Sequence, residues 1–149
     1  MISPFEIVVV SGDLVRRGEL ARILTAQGFE PICVPTLREC KEIFAEGRVG
    51  LVFCDPHVSD GDYEELLSAY RLKERKPRVV VTSADGDWDD FKNAMRLGAF
   101  DVISVPCRPT DVEWIIIQAK RDERNRSKND PGQTPTETDR ATMTASGVY

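Results

Sequence analysis

The stretch Leu51-Val52-Phe53-Cys54-Asp55-Pro56-His57-Val58-Ser59-Asp60-Gly61 decides the fold of this chain. Its first four residues are apolar without interruption, which is typical of a central strand that is covered on both faces in a parallel sheet. The apolar run ends at an acidic residue, and a polar loop containing proline and glycine follows. The stretch therefore predicts a buried strand that ends at Asp55, with a loop after it.

On either side of this stretch, short apolar runs alternate with amphipathic segments. Further strands are predicted at residues 7–10, 31–34, 79–82 and 101–105. Apolar residues at helical spacing follow the strands, and Asp13 is suited to cap the first helix. Capping boxes predict the starts of the second and the last helix: Thr36 with Glu39, and Thr110 with Glu113. Five β/α pairs predict one α/β domain with a parallel sheet wrapped by helices.

The charge and composition argue against several classes of partner. With 20 Lys and Arg against 25 Asp and Glu, the net charge is −5, so neither nucleic acid nor an anionic membrane surface is an expected partner. No stretch approaches the roughly 20 apolar residues that span a bilayer, and the first residues lack a signal-peptide pattern. No Cys-x-x-Cys pair is present, which favours free thiols. These features predict a cytoplasmic protein.

The character of the chain changes near Arg121. Residues 124–132 are polar and rich in helix-breaking residues, and the remainder is rich in threonine. Such a segment buries too little apolar surface to offset the entropy of ordering it. We therefore predict a folded domain over residues 1–122 and a disordered polar tail over residues 123–149, with a docking peptide or a tether as the alternative for the tail.

The order of these segments resembles the receiver domain of bacterial two-component response regulators. The likeness covers about residues 6–120 and is carried by Leu51-Val52-Phe53-Cys54-Asp55, Ser59-Asp60-Gly61, Ser83-Ala84, Gly98-Ala99-Phe100-Asp101 and Pro106. It implies a flavodoxin-like α/β fold, a three-layer sandwich whose five-stranded parallel sheet has the order 2-1-3-4-5 and carries five helices. In such sheets the functional crevice lies at the carboxyl ends of the strands, near the reversal of strand order.

The resemblance also implies phosphoryl transfer from a histidine kinase to an aspartate at the end of the third strand, which is Asp55. It implies a hydroxyl after the fourth strand that contacts the phosphoryl group, for which Ser83 is the candidate. A divalent cation assists this chemistry because a carboxylate attacks a group that is already negatively charged. Asp13 and Asp55 are the candidate metal ligands, although Asp13 is also explained as a helix cap.

Four positions depart from the family's pattern. Ser11 and Gly12 replace an acidic pair that helps to hold the metal. Val105 replaces a lysine that neutralises the phosphoryl charge, and Val102 replaces an aromatic switch. Magnesium prefers carboxylate ligands, and the loss of a catalytic electrostatic donor costs ~3 kcal/mol or more. The departures predict an atypical, degenerate receiver without a cofactor, in which any Mg²⁺ binding is weak.

A separate signal lies in the last helix. Trp114 and Ile117 are three residues apart, opposite the predicted core stripe. An exposed tryptophan beside an isoleucine predicts a contact site for a protein partner or a second copy. Receivers similar to this one often form homodimers through helix four, strand five and helix five. A histidine kinase or an output protein is the other kind of partner that the patch could bind. As an alternative to any partner, the C-terminal tail could fold back over the patch.

Three functional hypotheses follow. The preferred one is a stand-alone, non-enzymatic signalling module that acts by phosphorylation-independent protein–protein contact. The second is a conventional receiver that is phosphorylated on Asp55 and has a remodelled metal site. The third is a small flavodoxin-like enzyme, but the sequence has no glycine-rich phosphate loop. A hydrolase that uses Ser83 and His57 would also lack the Gly-x-Ser-x-Gly elbow.

Overall fold

The computed structural model describes residues 5–45, 49–73, 76–84 and 88–128. Strands and helices alternate along these residues. In chain order they are β1 (Glu6–Val10), α1 (Leu14–Ala26), β2 (Ile32–Val34), α2 (Leu37–Phe44), β3 (Val49–Cys54), β4 (His57–Val58), β5 (Gly61–Asp62), α3 (Tyr63–Tyr70), β6 (Arg78–Ala84), α4 (Trp88–Arg96), β7 (Asp101–Val105) and α5 (Pro109–Lys128).

The main sheet is parallel and has the strand order β2-β1-β3-β6-β7. Because β4 and β5 form a separate antiparallel hairpin, this is the predicted order 2-1-3-4-5 for the five strands of the sheet. The hairpin lies in the loop after Asp55 and pairs His57 with Asp62. It was not predicted, because strands of two residues carry too few side chains to show a periodicity.

The core lies in two layers, one on each face of the sheet. Side chains alternate between faces along a strand, so neighbouring residues such as Val9 and Val10 enter different clusters. Helices α2, α3 and α4 contribute to one cluster, and α1 and α5 contribute to the other. This arrangement confirms the predicted three-layer sandwich. None of the described helices combines the length and hydrophobicity required to cross a lipid bilayer.

Helix α5 corrects two predictions. It begins at Pro109, and the carbonyl of Arg108 accepts the N–H groups of Asp111 and Val112, so Thr110 lies inside the first turn and is not the N-cap. Proline favours this first helical position, since its φ angle suits a helix and its missing N–H would have no helical partner. The helix ends at Lys128, so residues 123–128, which were predicted to be disordered, are helical. Residues 129–149 of the predicted tail lie outside the described residues.

Candidate functional site

Asp55 lies directly after β3, at the carboxyl edge of the sheet. Its side chain is buried, with 7% of the residue exposed. Its N–H donates to the carbonyl oxygen of Val10 at 2.9 Å, which fixes the backbone of Asp55 against the end of β1. Strand β3 pairs with both β1 and β6, so residues at the ends of these two strands flank the carboxylate.

Two hydroxyl groups hold the carboxylate of Asp55. Ser11 Oγ donates to Asp55 Oδ2 at 2.6 Å, and Thr82 Oγ1 donates to Asp55 Oδ1 at 2.9 Å. Hydrogen bonds to an ionised oxygen are shorter and stronger than those between neutral groups. Each oxygen of the buried carboxylate therefore has a protein donor, which stabilises the side chain in place.

Thr82, which the sequence analysis missed, lies where Ser83 was expected. Ser83 is also buried, but its Oγ is directed at the carbonyl of Ala84 at 3.5 Å, and no hydrogen bond joins it to Asp55 in the described part of the chain. Cys54 pairs with Val81 in the sheet, so the next residues along the two strands, Asp55 and Thr82, come face to face. Thr82 and Ser83 are adjacent residues that both carry a hydroxyl, and the strand register distinguishes them.

A small cavity adjoins the carboxylate. Its volume of about 10 Å³ is close to the minimum for one water molecule. Val105, at the position expected for a lysine, lines it together with Arg16 and Cys107. Arg16 is the one basic residue among the described residues that line this cavity. Burial raises the pKa of the Cys107 thiol to about 11, so this side chain is neutral near pH 7.

The acidic side chains around the site act as helix caps. Asp13 accepts the N–H groups of Val15 at 2.8 Å and Arg16 at 3.2 Å, and thus caps α1. Asp62 accepts the N–H of Glu65 at 3.1 Å and caps α3.

Asp60 caps a helix to which it does not belong. Its carboxylate accepts the N–H groups of Leu37 at 2.9 Å and Arg38 at 3.0 Å at the start of α2. The hydrogen bond from the Leu37 N–H is the main reason that the pKa of Asp60 is lowered, because it favours the charged carboxylate. The hairpin after Asp55 is thereby tied to α2.

The two predicted magnesium ligands, Asp13 and Asp55, have hydrogen-bond partners within the protein. Magnesium requires nearly octahedral oxygen ligands and prefers carboxylates. Asp13 Oδ1 accepts the backbone N–H groups at the start of α1, and both oxygens of Asp55 accept hydrogen bonds from hydroxyls. Ser11 occupies one position of the missing acidic pair as a donor, and Gly12 is exposed. Within the described ranges, no group of three or more potential metal-ligating side chains comes together.

Neither Val102 nor His57 is among the described residues that line the cavity beside Asp55. Val102 is half-buried in β7 and packs against the core cluster of α2, α3 and α4. His57 is exposed in β4, and where the structure is described no hydrogen bond connects it to Ser83. The Ser/His arrangement that a hydrolase needs is therefore not assembled in this conformation.

Trp114 and Ile117 are exposed on α5, as expected, with 53% and 39% of each residue accessible. Met95 on α4 is also exposed, at 40%. A groove of about 260 Å³ runs between β7 and α5 next to Trp114. Its lining combines apolar and acidic residues: Asp101, Val102, Ile103, Ser104, Asp111, Trp114 and Ile115.

The 2-1-3-4-5 sheet with an aspartate at the end of its central strand defines a doubly wound α/β module of the receiver class. Residues 7–116 match the family model of the response regulator receiver domain, and the chain belongs to this family. It is 26% identical over 122 residues to an NtrX-like response regulator of Rickettsia bellii, covering 80% of this chain and 25% of that protein. It is 27% identical over 113 residues to the regulatory protein AtoC of Escherichia coli, covering 76% of this chain and 24% of that protein.

Solved structures show the same fold. A response regulator from Chloroflexus aurantiacus superposes with a TM-score of 0.73 at 18% identity, covering 78% of this chain and 97% of the other. The receiver domain of Saccharomyces cerevisiae Ssk1, solved with the histidine phosphotransfer protein Ypd1, gives a TM-score of 0.67 at 17% identity over 80% of this chain and 94% of that chain. The chain thus spans about a quarter of the two curated relatives but nearly all of these two structures.

Proposed function

We propose that this receiver domain transmits its signal by protein–protein contact, without phosphorylation of Asp55. The observation that carries the proposal is the pair of hydroxyl donors on the carboxylate, Ser11 at 2.6 Å and Thr82 at 2.9 Å. A phosphoryl donor must approach one of these oxygens in line. The approach requires a hydroxyl to be displaced, because the adjoining cavity of about 10 Å³ has room for about one water molecule.

The charges around the carboxylate also support the proposal. The transferred group carries negative charge on its oxygens, and phosphoryl transfer depends on cations that neutralise this charge. Val105 supplies no charge to the cavity, and Asp13 stabilises the start of α1. A missing electrostatic donor costs ~3 kcal/mol or more in the transition state, which is a rate loss of at least about a hundredfold.

Intact mass spectrometry tests this proposal. The protein is incubated with Mg²⁺ and acetyl phosphate or phosphoramidate, and the Asp55→Asn variant serves as the control. We expect no acid-stable, base-labile adduct in either protein. A substantial adduct on the wild type that is absent from Asp55→Asn would refute the proposal.

Phosphorylation on Asp55 is the second candidate, and Arg16 is the observation that favours it. Arg16 lines the cavity beside Asp55 and carries a permanent positive charge. The Ssk1 receiver was solved with a histidine phosphotransfer protein, and by analogy a kinase or phosphotransfer protein would be the donor here. This candidate would be selected if an adduct forms in the wild type, is lost in Arg16→Gln, and is retained in the control Arg22→Gln on the outer part of α1.

The contact surface that we assign to the domain is the face formed by α4, β7 and α5. Trp114, Ile117 and Met95 expose apolar area on it, and large aromatic anchors dominate the binding energy of protein interfaces. Asp101 and Asp111 line the adjoining groove, so a partner with a basic side chain fits there: the cation can contact both carboxylates and the face of Trp114.

Sedimentation velocity tests whether a second copy is one such partner. Wild type, Trp114→Ala and the control Leu72→Ala are compared over a range of concentrations; Leu72 is 94% exposed but lies just after α3. We expect concentration-dependent self-association in wild type and Leu72→Ala, and its loss in Trp114→Ala. Equal self-association of all three proteins would remove this face as the site of homodimerisation.

A further inference from the structure

The last part of α5 contains no apolar residue, and Lys120 at its start lies over the rings of Phe29 and Phe5. The buried residues of the helix are Val112, Ile115, Ile116 and Ala119, and every residue from 120 to 128 is polar or charged. Helical segments this short are marginal in water unless tertiary contacts stabilise them. Contacts other than hydrophobic packing must therefore hold the end of α5 against the domain.

Arg78 supplies the main contact. It is the first residue of β6, and its side chain is only 2% exposed. Its Nε donates to Asp122 Oδ2 at 2.6 Å, and its Nη1 donates to Glu123 Oε2 at 3.0 Å. The same Nη1 donates to the carbonyl of Gly50 in β3 at 3.2 Å. One buried guanidinium thus joins two carboxylates of α5 to the edge of the sheet where β3 and β6 begin.

Arg126 adds a second connection in the same place. Its Nη1 donates to the carbonyl of Lys76 at 2.6 Å, and its Nε lies 3.6 Å from Asp122 Oδ2. Lys76 is two residues before β6. Hydrogen bonds and ion pairs from two arginines therefore hold the end of α5 on the start of this strand. The rest of the helix is held by hydrophobic side chains.

The contact at Arg78 is incompletely satisfied. Its Nη2 is buried without a hydrogen-bond partner in the described structure, and a buried donor in this state carries a desolvation penalty. The side chains of Asp122 and Glu123 remain 43% and 28% exposed, so both carboxylates can regain water when they leave the cation. Opening lets the two carboxylates and the unpaired Nη2 regain water, and these gains offset part of the cost of separating the ion pairs.

We propose that Arg78, with Asp122 and Glu123, forms a latch that holds residues 122–128 of α5 on the sheet and opens without unfolding the domain. The latch lies at the start of β6, whereas Thr82, which contacts Asp55, lies near the end of the same strand. The latch sets whether residues 122–128 are fixed on the sheet or released from it. It is independent of the function proposed above, since neither Asp55 nor Trp114 belongs to it.

Hydrogen–deuterium exchange measured by mass spectrometry tests the latch. Arg78→Met keeps the apolar stem of the side chain and removes the cation, and Asp122→Asn/Glu123→Gln removes both carboxylates while it keeps their shape. Arg121→Met is the control, because Arg121 is exposed on the same turn of the helix. Peptides that cover residues 112–119 and 122–128 are followed separately in all four proteins.

We expect both latch variants to accelerate exchange in residues 122–128 by about tenfold or more, and exchange in residues 112–119 by less than about twofold. Arg121→Met should resemble the wild type. The proposal is overturned if residues 122–128 exchange at the wild-type rate in the variants. It is also overturned if both peptides accelerate by the same factor, since that would be global destabilisation. Should Arg78→Met fail to fold, the carboxylate variant decides by the same criteria.

Discussion

Replacement of Thr82 by valine tests the hydroxyl pair on which the site depends. Valine keeps the shape of threonine but removes the hydroxyl that donates to Asp55 Oδ1 at 2.9 Å. Since Asp55 is only 7% exposed, water does not readily replace this donor. A hydrogen bond to a charged group contributes ~1.5–3 kcal/mol. We therefore expect Thr82→Val to lower the free energy of unfolding by about 2 kcal/mol.

Equilibrium urea unfolding at pH 7 measures this change. Ser83→Ala is the matched control, because Ser83 is the next residue of β6 and is 4% exposed, and its Oγ hydrogen bond among the described residues is the 3.5 Å contact to the carbonyl of Ala84. We expect it to cost less than about 0.5 kcal/mol. Thr82→Val should also cost less in an Asp55→Asn background, where the acceptor has lost its charge. A cost for Thr82→Val no larger than that for Ser83→Ala would refute the reasoning.

Three further predictions concern the hairpin and the thiols. Gly61 has φ +152° and an added Cβ would lie 2.8 Å from Leu37 Cδ1, so Gly61→Ala should lower the free energy of unfolding by ~1–3 kcal/mol in urea melts; an unchanged midpoint would contradict this. The hydrogen bond from the Leu37 N–H lowers the pKa of Asp60 in the folded protein. The Asp60 carboxylate therefore stabilises the fold above the unfolded pKa of ~3.9, and this stabilisation is lost as the pH falls through the lower pKa of the folded state. The difference in urea midpoint between wild type and Asp60→Asn should therefore be present at pH 7 and vanish in strong acid, and a difference that persists there would count against the cap. Burial raises the pKa of Cys107 to about 11, so about one thiol in a thousand is ionised at pH 8; iodoacetamide should modify the exposed Cys33 first, and peptide mapping that finds Cys107 first would contradict this.

Much of the fold could be predicted from local patterns. The uninterrupted apolar run before Asp55 predicted a central strand, and this strand lies between β1 and β6. The Thr36 cap was also predicted, and its Oγ1 accepts the N–H of Glu39 at 3.3 Å. The end of α5 was predicted wrongly, because composition records the loss of apolar residues but not the ion pairs that Arg78 forms across 44 and 45 residues of sequence.

Some features of the candidate site could likewise be predicted from the sequence, and others could not. Residue identity and order were enough to predict that an aspartate ends the central strand, and the family resemblance implied that Ser11, Gly12 and Val105 replace two acids and a lysine. The contact of Thr82, and not Ser83, with the carboxylate, the second donor Ser11 and the position of Arg16 at the cavity became visible in the folded structure. These facts depend on strand register and on which face of a strand or helix a side chain occupies, and pairing between distant segments sets both.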